Sequence, residues 1–312
     1  MKNDLRIIFM GTPEFAVPSL QRLIDNGYKV VAVVTAPDKP RGRGQKVIAS
    51  PVKECALDNN IPVLQPTNLK SDDFVDELRS YRANLQVVVA FRMLPEVVWN
   101  MPEIGTFSLH ASYLPQYRGA APINWAIING EKETGITTFM LQHEIDTGNI
   151  IFQEKEPIHP DETAGSLYER LMHKGSLLVL KTVQAIAKGD YKLQPQQAAA
   201  DDLKSAPKIK RETCKIDWNQ PAAQVSNFVR GLAPYPAAWT TLDTRSGEKV
   251  CKIYSVADLG EKNPNLAPGQ YITDNSNFIH IQTADHLMAI EEMQIEGRKR
   301  MSVGEFLRGN TL

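Results

Sequence analysis

TFSLHASYLPQYRGAAP, Thr106 to Pro122, followed by HEIDTGNI, His143 to Ile150, is where the fold of this chain can be read. Thr106 to Leu109 is a strand-like run that delivers His110, and a loop with Pro115 and Gly119 begins at once. A second β-rich run, Gly135 to Leu141, precedes Asp146, which stands just before Gly148. Imidazole and carboxylate at the ends of two neighbouring strands is how an open α/β sheet builds a site, outside the carboxyl ends of its strands. Outward from this stretch, Leu5 to Met10, Lys29 to Thr35 and Leu85 to Ala90 are short apolar runs of the kind that form buried strands. Helical segments separate them. One opens at Pro13 and runs to about Asn26, where Gly27 ends it; others cover Val52 to Asn59 and Asp73 to Tyr81. Strands alternating with helices predict an α/β class and a doubly wound parallel sheet.

The pattern changes past Asp146. Ile150 to Lys155 reads as a strand and Thr163 to Lys188 as a long helix with Leu167, Leu171, Leu178 and Val179 on its apolar side. Asp190 to Pro207 contains QPQQAAA and reads as a linker. In the tail, Asn219 is a candidate cap for a helix bearing Val225, Phe228, Val229 and Leu232. Strand candidates follow at Trp239 to Leu242, Val250 to Val256, Gln270 to Thr273, Asn277 to Gln282 and His286 to Gln294. Ser302 to Glu305 has capping-box spacing for a last helix. That count suits a small five-stranded β-barrel of the OB type. The expected division is a catalytic domain over 1–189, a linker over 190–207 and an OB-like domain over 208–312.

Composition bounds the function. A chain of 312 residues, 42% hydrophobic and 23% charged, is comfortable for two globular domains, and its net charge of −1 excludes a polycation. The N-terminal apolar run is too short for a signal segment, and no later run reaches the length of a membrane span, so a cytoplasmic, membrane-free protein is expected. Cys55, Cys214 and Cys251 are widely spaced, with no metal-binding or disulfide pattern, and no metal is expected. One glycine at Gly11-Thr12-Pro13 is too few for a dinucleotide fingerprint.

His110 as titrating group and Asp146 as its orienter make proton transfer the leading chemistry. The segment resembles the site signature of the folate-dependent formyltransferases, which reads Asn-x-His-x-Ser-Leu-Leu-Pro, then Arg-Gly-Ala-Ala-Pro, then Asp-x-Gly. His110, Ser112, Leu114, Pro115, Arg118, Gly119, Ala120, Ala121, Pro122, Asp146 and Gly148 match it. Further agreement at RIIFMGTPEFA, PDKPRGRG with SPVK, VVVAFRMLP and IDW is greatest with the branch acting on methionyl-initiator tRNA. The resemblance implies a Rossmann-like formyltransferase domain before the OB-like one, and 10-formyltetrahydrofolate as co-substrate. It implies His110, Asp146 and position 108 as catalytic residues, and a folate pocket from Phe91, Met93, Ser112, Tyr113, Leu114 and Pro115. Two positions depart: Ser108 replaces the Asn that donates to the oxyanion, and Tyr113 replaces a Leu. The alternatives are a sugar-nucleotide N-formyltransferase, or a binding homologue weakened at Ser108.

Between the second strand and the next helix, Thr35 to Lys53 carries Lys39, Arg41, Arg43, Lys46 and Lys53. It reads as a basic loop able to reach phosphates, with further clusters at Lys208, Lys210, Arg211 and Lys215 and at Arg298, Lys299 and Arg300. Arg41, Arg43, Lys46, Lys208, Lys210, Arg298 and Lys299 are therefore the candidate tRNA contacts. The expected assembly is a monomer.

Overall fold

The computed structural model describes residues 4–41, 46–197, 202–244 and 247–309. Up to His110 the chain runs β1 (Arg6–Gly11), α1 (Val17–Asp25), β2 (Lys29–Val34), β3 (Lys39–Arg41) and β4 (Lys46–Ile48). It continues through α2 (Pro51–Asp58), β5 (Val63–Leu64), α3 (Asp72–Ser80), β6 (Leu85–Val89), α4 (Glu96–Trp99) and β7 (Gly105–His110). Then come β8 (Arg118–Gly119), α5 (Pro122–Ile128), β9 (Glu133–Met140), β10 (Ile150–Pro157) and α6 (Ala164–Lys188). The remainder holds β11 (Ser205–Ala206), α7 (Ala222–Leu232), β12 (Ala238–Thr244), β13 (Gly247–Asp258) and β14 (Tyr271–Thr273). Last are β15 (Ile279–Gln282), β16 (Leu287–Ile295), β17 (Met301–Ser302) and α8 (Val303–Leu307).

The chain forms two compact units: residues 1–119, 135–156 and 168–205 make one, and residues 120–134, 157–167 and 206–312 the other. The first is built on a seven-stranded sheet in the order β10-β9-β7-β6-β1-β2-β5. From β7 to β5 all neighbours are parallel, as the alternation predicts. The β1 residues Ile7, Ile8, Phe9 and Met10 have no exposed surface, which fits a strand covered on both faces. β9 differs: it runs antiparallel to β7, with Phe107 opposite Met140 and His110 opposite Thr137. Asp146 is therefore not at the carboxyl end of a parallel neighbour, and the loop after β9 has to turn back to bring it to His110.

The second unit is a six-stranded antiparallel sheet, β12-β13-β16-β15-β14 with β17 on β16. Its core is drawn from both sheet and helix, with Val225, Val229 and Leu232 of α7 packed among Ile253, Ile281, Met293 and Phe306. The capping box closes as expected, since Ser302 accepts from the Glu305 amide and Glu305 from the Ser302 amide. Asn219 does not cap α7. The helix begins after Pro221, Asp285 accepts from the Ala222 amide, and Asn219 is held in a turn by Asp217. The proline fixes the start, and the Asp285 carboxylate is a better acceptor for the first helical N–H groups than an amide side chain. Among the described residues no helix is long and apolar enough to cross a membrane.

Candidate active site

Ser108 and His110 are two apart on β7 and share a face of the sheet, with Val88 of β6 opposite Ser108 on one side and Phe139 of β9 on the other. His110 is buried, and its Nε2 lies 2.8 Å from the Tyr117 carbonyl oxygen. A carbonyl only accepts, so Nε2 carries the hydrogen and the neutral ring presents a lone pair at Nδ1. Nδ1 faces Asp146 Oδ2 at 3.8 Å, within ion-pair reach and longer than a hydrogen bond. The same Oδ2 accepts from the Gly119 amide at 2.9 Å.

Backbone strain gathers here. Ala90, Tyr117 and Asp146 have φ of +48°, +59° and +56°, and all three stand in the loops just beyond β6, β7 and β9. Such conformations cost about 1–3 kcal/mol each and persist only where surroundings impose them. An Asp tolerates the left-handed region better than Ala or Tyr does. Tyr117 is fixed from both sides, by its N–H to the Lys204 carbonyl at 2.7 Å and its carbonyl to His110. Gly148 is needed for a different reason: a Cβ there would stand 1.6 Å from the Met140 carbonyl oxygen. The side chain of Gln196 completes the turn, with Nε2 donating to the carbonyls of Asp146 and Gly148, each at 2.8 Å. Gln194 pairs with Ile150 by two backbone bonds, so the stretch expected as a linker is bonded to the site's loops.

Beyond the ends of β5 and β6 lies a cleft of about 830 Å³, lined among others by Lys70, Arg92, Met93, Leu94, Trp99 and His143. Its volume and mainly apolar lining suit a small-molecule site at the carboxyl edge of a parallel sheet. Of the expected folate residues, Met93 lines the cleft and is 70% exposed. Phe91 sits beneath the Arg92 guanidinium, 5.6 Å from its ring centre. The others belong to the loop after His110. Ser112 is fully buried and its hydroxyl donates to the Gln116 carbonyl at 2.6 Å. The Leu114 amide donates to Thr137, Leu114-Pro115 is cis, and Tyr113 has Lys155 over its ring.

The basic segment is more ordered than a loop at its base. Lys39–Arg41 and Lys46–Ile48 pair as an antiparallel ribbon that brings Arg41 and Lys46 into register. Arg43 lies outside the described residues. Lys53, one of the five cations of the basic loop, turns inward to Asp38 at 2.5 Å and to Gln65 at 2.8 Å. In the second unit Lys208, Lys210, Arg298 and Lys299 are exposed, whereas Arg300 pairs with Glu292 and lies over Tyr254. Sequence reasoning missed Gln196, Lys70 and His143. A glutamine in QPQQAAA carries no local sign of its partners, but Arg92 stands within the quoted VVVAFRMLP motif and could have been singled out.

Residues 5–183 match the model of the formyl transferase family, and residues 208–311 match that family's C-terminal domain. The chain belongs to the formyl transferase family and is a formyl-transferring enzyme. Methionyl-tRNA formyltransferase of Bacteroides fragilis is 55% identical over 99% of this chain and 96% of its own length. That of Flavobacterium johnsoniae is 51% identical over 99% and 97%. Within the family the chain thus falls among the methionyl-tRNA formyltransferases. Among solved structures, a sugar 3N-formyl transferase in the presence of dTDP and 5-N-formyl-THF superposes with a TM-score of 0.66 at 22% identity. It covers 95% of this chain and 99% of its own. HypX from Aquifex aeolicus in complex with tetrahydrofolic acid gives 0.64 at 20% identity, over 98% of this chain and 48% of that one. At those identities the likeness is one of fold.

Proposed function

We propose that the transfer runs from 10-formyltetrahydrofolate to the α-amine of methionine on initiator tRNA. His110 is the titrating group, Asp146 its orienter, and Ser108 a donor toward the developing oxyanion. The observation that carries this assignment is the His110–Asp146 pair, each member anchored by a backbone bond, on a chain that belongs among the methionyl-tRNA formyltransferases.

Attack of an amine on a formyl carbon puts negative charge on the carbonyl oxygen and leaves a proton on the amine. Nδ1 of His110 can take that proton because Nε2 is committed to Tyr117, which also stops the ring from rotating. Asp146 stabilises the imidazolium so formed. The proton held there is then available to the departing folate nitrogen. Ser108 lies on the His110 face of β7, but a hydroxyl is shorter than an amide side chain and reaches the oxyanion through a water. The cleft suits the folate: Met93, Leu94 and Trp99 offer apolar surface to a ring system, and Lys70 and Arg92 offer positive charge to its carboxylates, while Glu96 of the same lining lies 3.5 Å from the His143 ring. Ser112, Leu114 and Pro115 contribute by shaping the loop after His110. Exposed Lys208, Lys210, Arg298 and Lys299, with Arg41, Arg43 and Lys46 of the basic segment, supply phosphate contacts to the tRNA.

The test is transfer of labelled formyl from 10-formyltetrahydrofolate to methionyl-initiator tRNA, with a sugar-nucleotide amine as parallel acceptor. Label on the tRNA alone is the expected result, and label on the sugar alone overturns the acceptor assignment. Label on neither, with tRNA still bound, favours the second reading, a binding homologue whose chemistry is lost at Ser108.

A further inference from the structure

Two residues of the loop after β7, Tyr117 and Gly119, each hold one member of the His110–Asp146 pair. The Tyr117 carbonyl accepts from His110 Nε2 at 2.8 Å, and the Gly119 amide donates to Asp146 Oδ2 at 2.9 Å. Between them, Arg118 reaches neither; its guanidinium donates from Nε and Nη2 to Gln196 Oε1, at 3.1 and 2.7 Å. The other end of that amide, Nε2, donates to the carbonyls of Asp146 and Gly148. One side chain therefore joins the loop that follows His110 to the turn that carries Asp146.

The orientation of the amide is unambiguous. Guanidinium nitrogens only donate and carbonyls only accept, so Oε1 must face Arg118 and Nε2 must face the turn. Both hydrogens and both lone pairs of the amide are used. A Glu keeps the acceptors and loses both donors, a Lys or Arg keeps donors and loses the acceptors, and an Asn is one methylene short. Gln196 is itself anchored through Gln194, whose backbone N–H and carbonyl both pair with Ile150, at 2.9 and 2.8 Å. Farther on, the Lys204 carbonyl accepts from the Tyr117 amide, and the Lys204 amide donates to the Gln116 side chain at 2.9 Å.

We infer that Gln196 is a positioning residue for the formyl transfer, setting the spacing of His110 and Asp146 by clamping Arg118 to the 146–148 turn. The pair stands at 3.8 Å, so a small displacement decides whether Nδ1 and Oδ2 close to hydrogen-bond distance or stay apart. Displacements on the order of 1 Å at a reacting centre cost up to about 10²-fold in rate. The inference rests on His110 and Asp146 being the reacting pair.

Gln196→Ala and Gln196→Glu test it in the full chain. For both, kcat is expected to fall at least about tenfold while KM for 10-formyltetrahydrofolate stays within about twofold. The limb of the kcat–pH profile that Asp146→Asn abolishes should shift in both variants. Gln196→Glu retains the partner of Arg118 but sets a carboxylate against the Asp146 and Gly148 carbonyls. For that reason kcat is read at a temperature where circular dichroism shows each variant as folded as the parent, and the loss of rate is expected there. Parent-like kcat and an unshifted profile in both variants overturn the inference, as does a loss confined to KM. His110→Asn run alongside distinguishes the two levels. An active His110→Asn removes the site assignment itself, whereas an inactive one beside parent-like Gln196 variants removes only the role of Gln196.

Discussion

Among the described residues there are two His–Asp pairs, and they are built on different principles. His286 Nδ1 lies 3.0 and 3.1 Å from the two oxygens of Asp258, with both side chains more than a third exposed. His110 Nδ1 stands 3.8 Å from Asp146, with both side chains largely covered. The tighter pair is the one without a site around it. His286 and Asp258 face each other at neighbouring strand ends, and Asp258 Oδ1 also accepts from the Gly260 amide at 2.8 Å; exposed and screened by water, such pairs contribute little. In the looser pair each member is held from outside, His110 by the Tyr117 carbonyl and Asp146 by the Gly119 amide. Bonds to the surroundings rather than to each other leave Nδ1 with a lone pair facing a carboxylate. That is a disposition a proton can enter. A short His–Asp distance therefore makes a poor guide to function.

The largest effect expected on this comparison is at His110. His110→Asn should lower kcat by about 10²–10⁴-fold, the usual worth of a positioned acid–base group, with the parent's circular dichroism retained. His286→Asn should leave kcat unchanged, and equal losses at the two histidines would erase the distinction drawn between the pairs. Next is Ser108→Asn, which supplies a direct oxyanion donor of a kind commonly worth about 10²–10³-fold, so single-turnover rates should rise. A variant no faster than the parent would mean that another group already serves the oxyanion. Gly148→Ala follows: its Cβ has to displace the Met140 carbonyl or the 146–148 turn, and a fall in kcat of about tenfold is expected at little change in folate KM. Lys208→Ala with Lys210→Ala should raise KM for the tRNA a few-fold and flatten the salt dependence of tRNA binding by about one unit of slope per cation, leaving folate use alone.

The smallest effect concerns pH. The hydrogen bond to Asp258 raises the His286 pKa above its ordinary value. The folded state thus holds this proton more tightly than the unfolded chain. The resulting stability is fully present below the unfolded value of about 6.5 and is lost as pH rises through the raised folded value. In His286→Gln that part of the pH dependence of the melting temperature should vanish, and an unchanged curve would show that the pair carries no linkage.

Much of this was legible in the residues themselves. Apolar runs and their punctuation marked the strands of the first sheet, since a strand covered on both faces has to be apolar throughout, and Gly27 and the Ser302–Glu305 box marked helix ends by local chemistry. His110 and Asp146 stood out by their place at strand ends, where open sheets carry chemistry, and the resemblance to the formyltransferase signature added Gly148. What local sequence could not carry was direction and long-range partnership. The antiparallel course of β9 depends on which neighbour pairs with it, and the inward turn of Lys53 on an Asp38 carboxylate that folding brings within reach. Gln196 is the clearest instance: a polar residue in a polar stretch looks the same whether solvated or fully bonded. Only the tertiary structure, by bringing Arg118, Asp146 and Gly148 around it, decided that all four of its hydrogen-bonding positions are used.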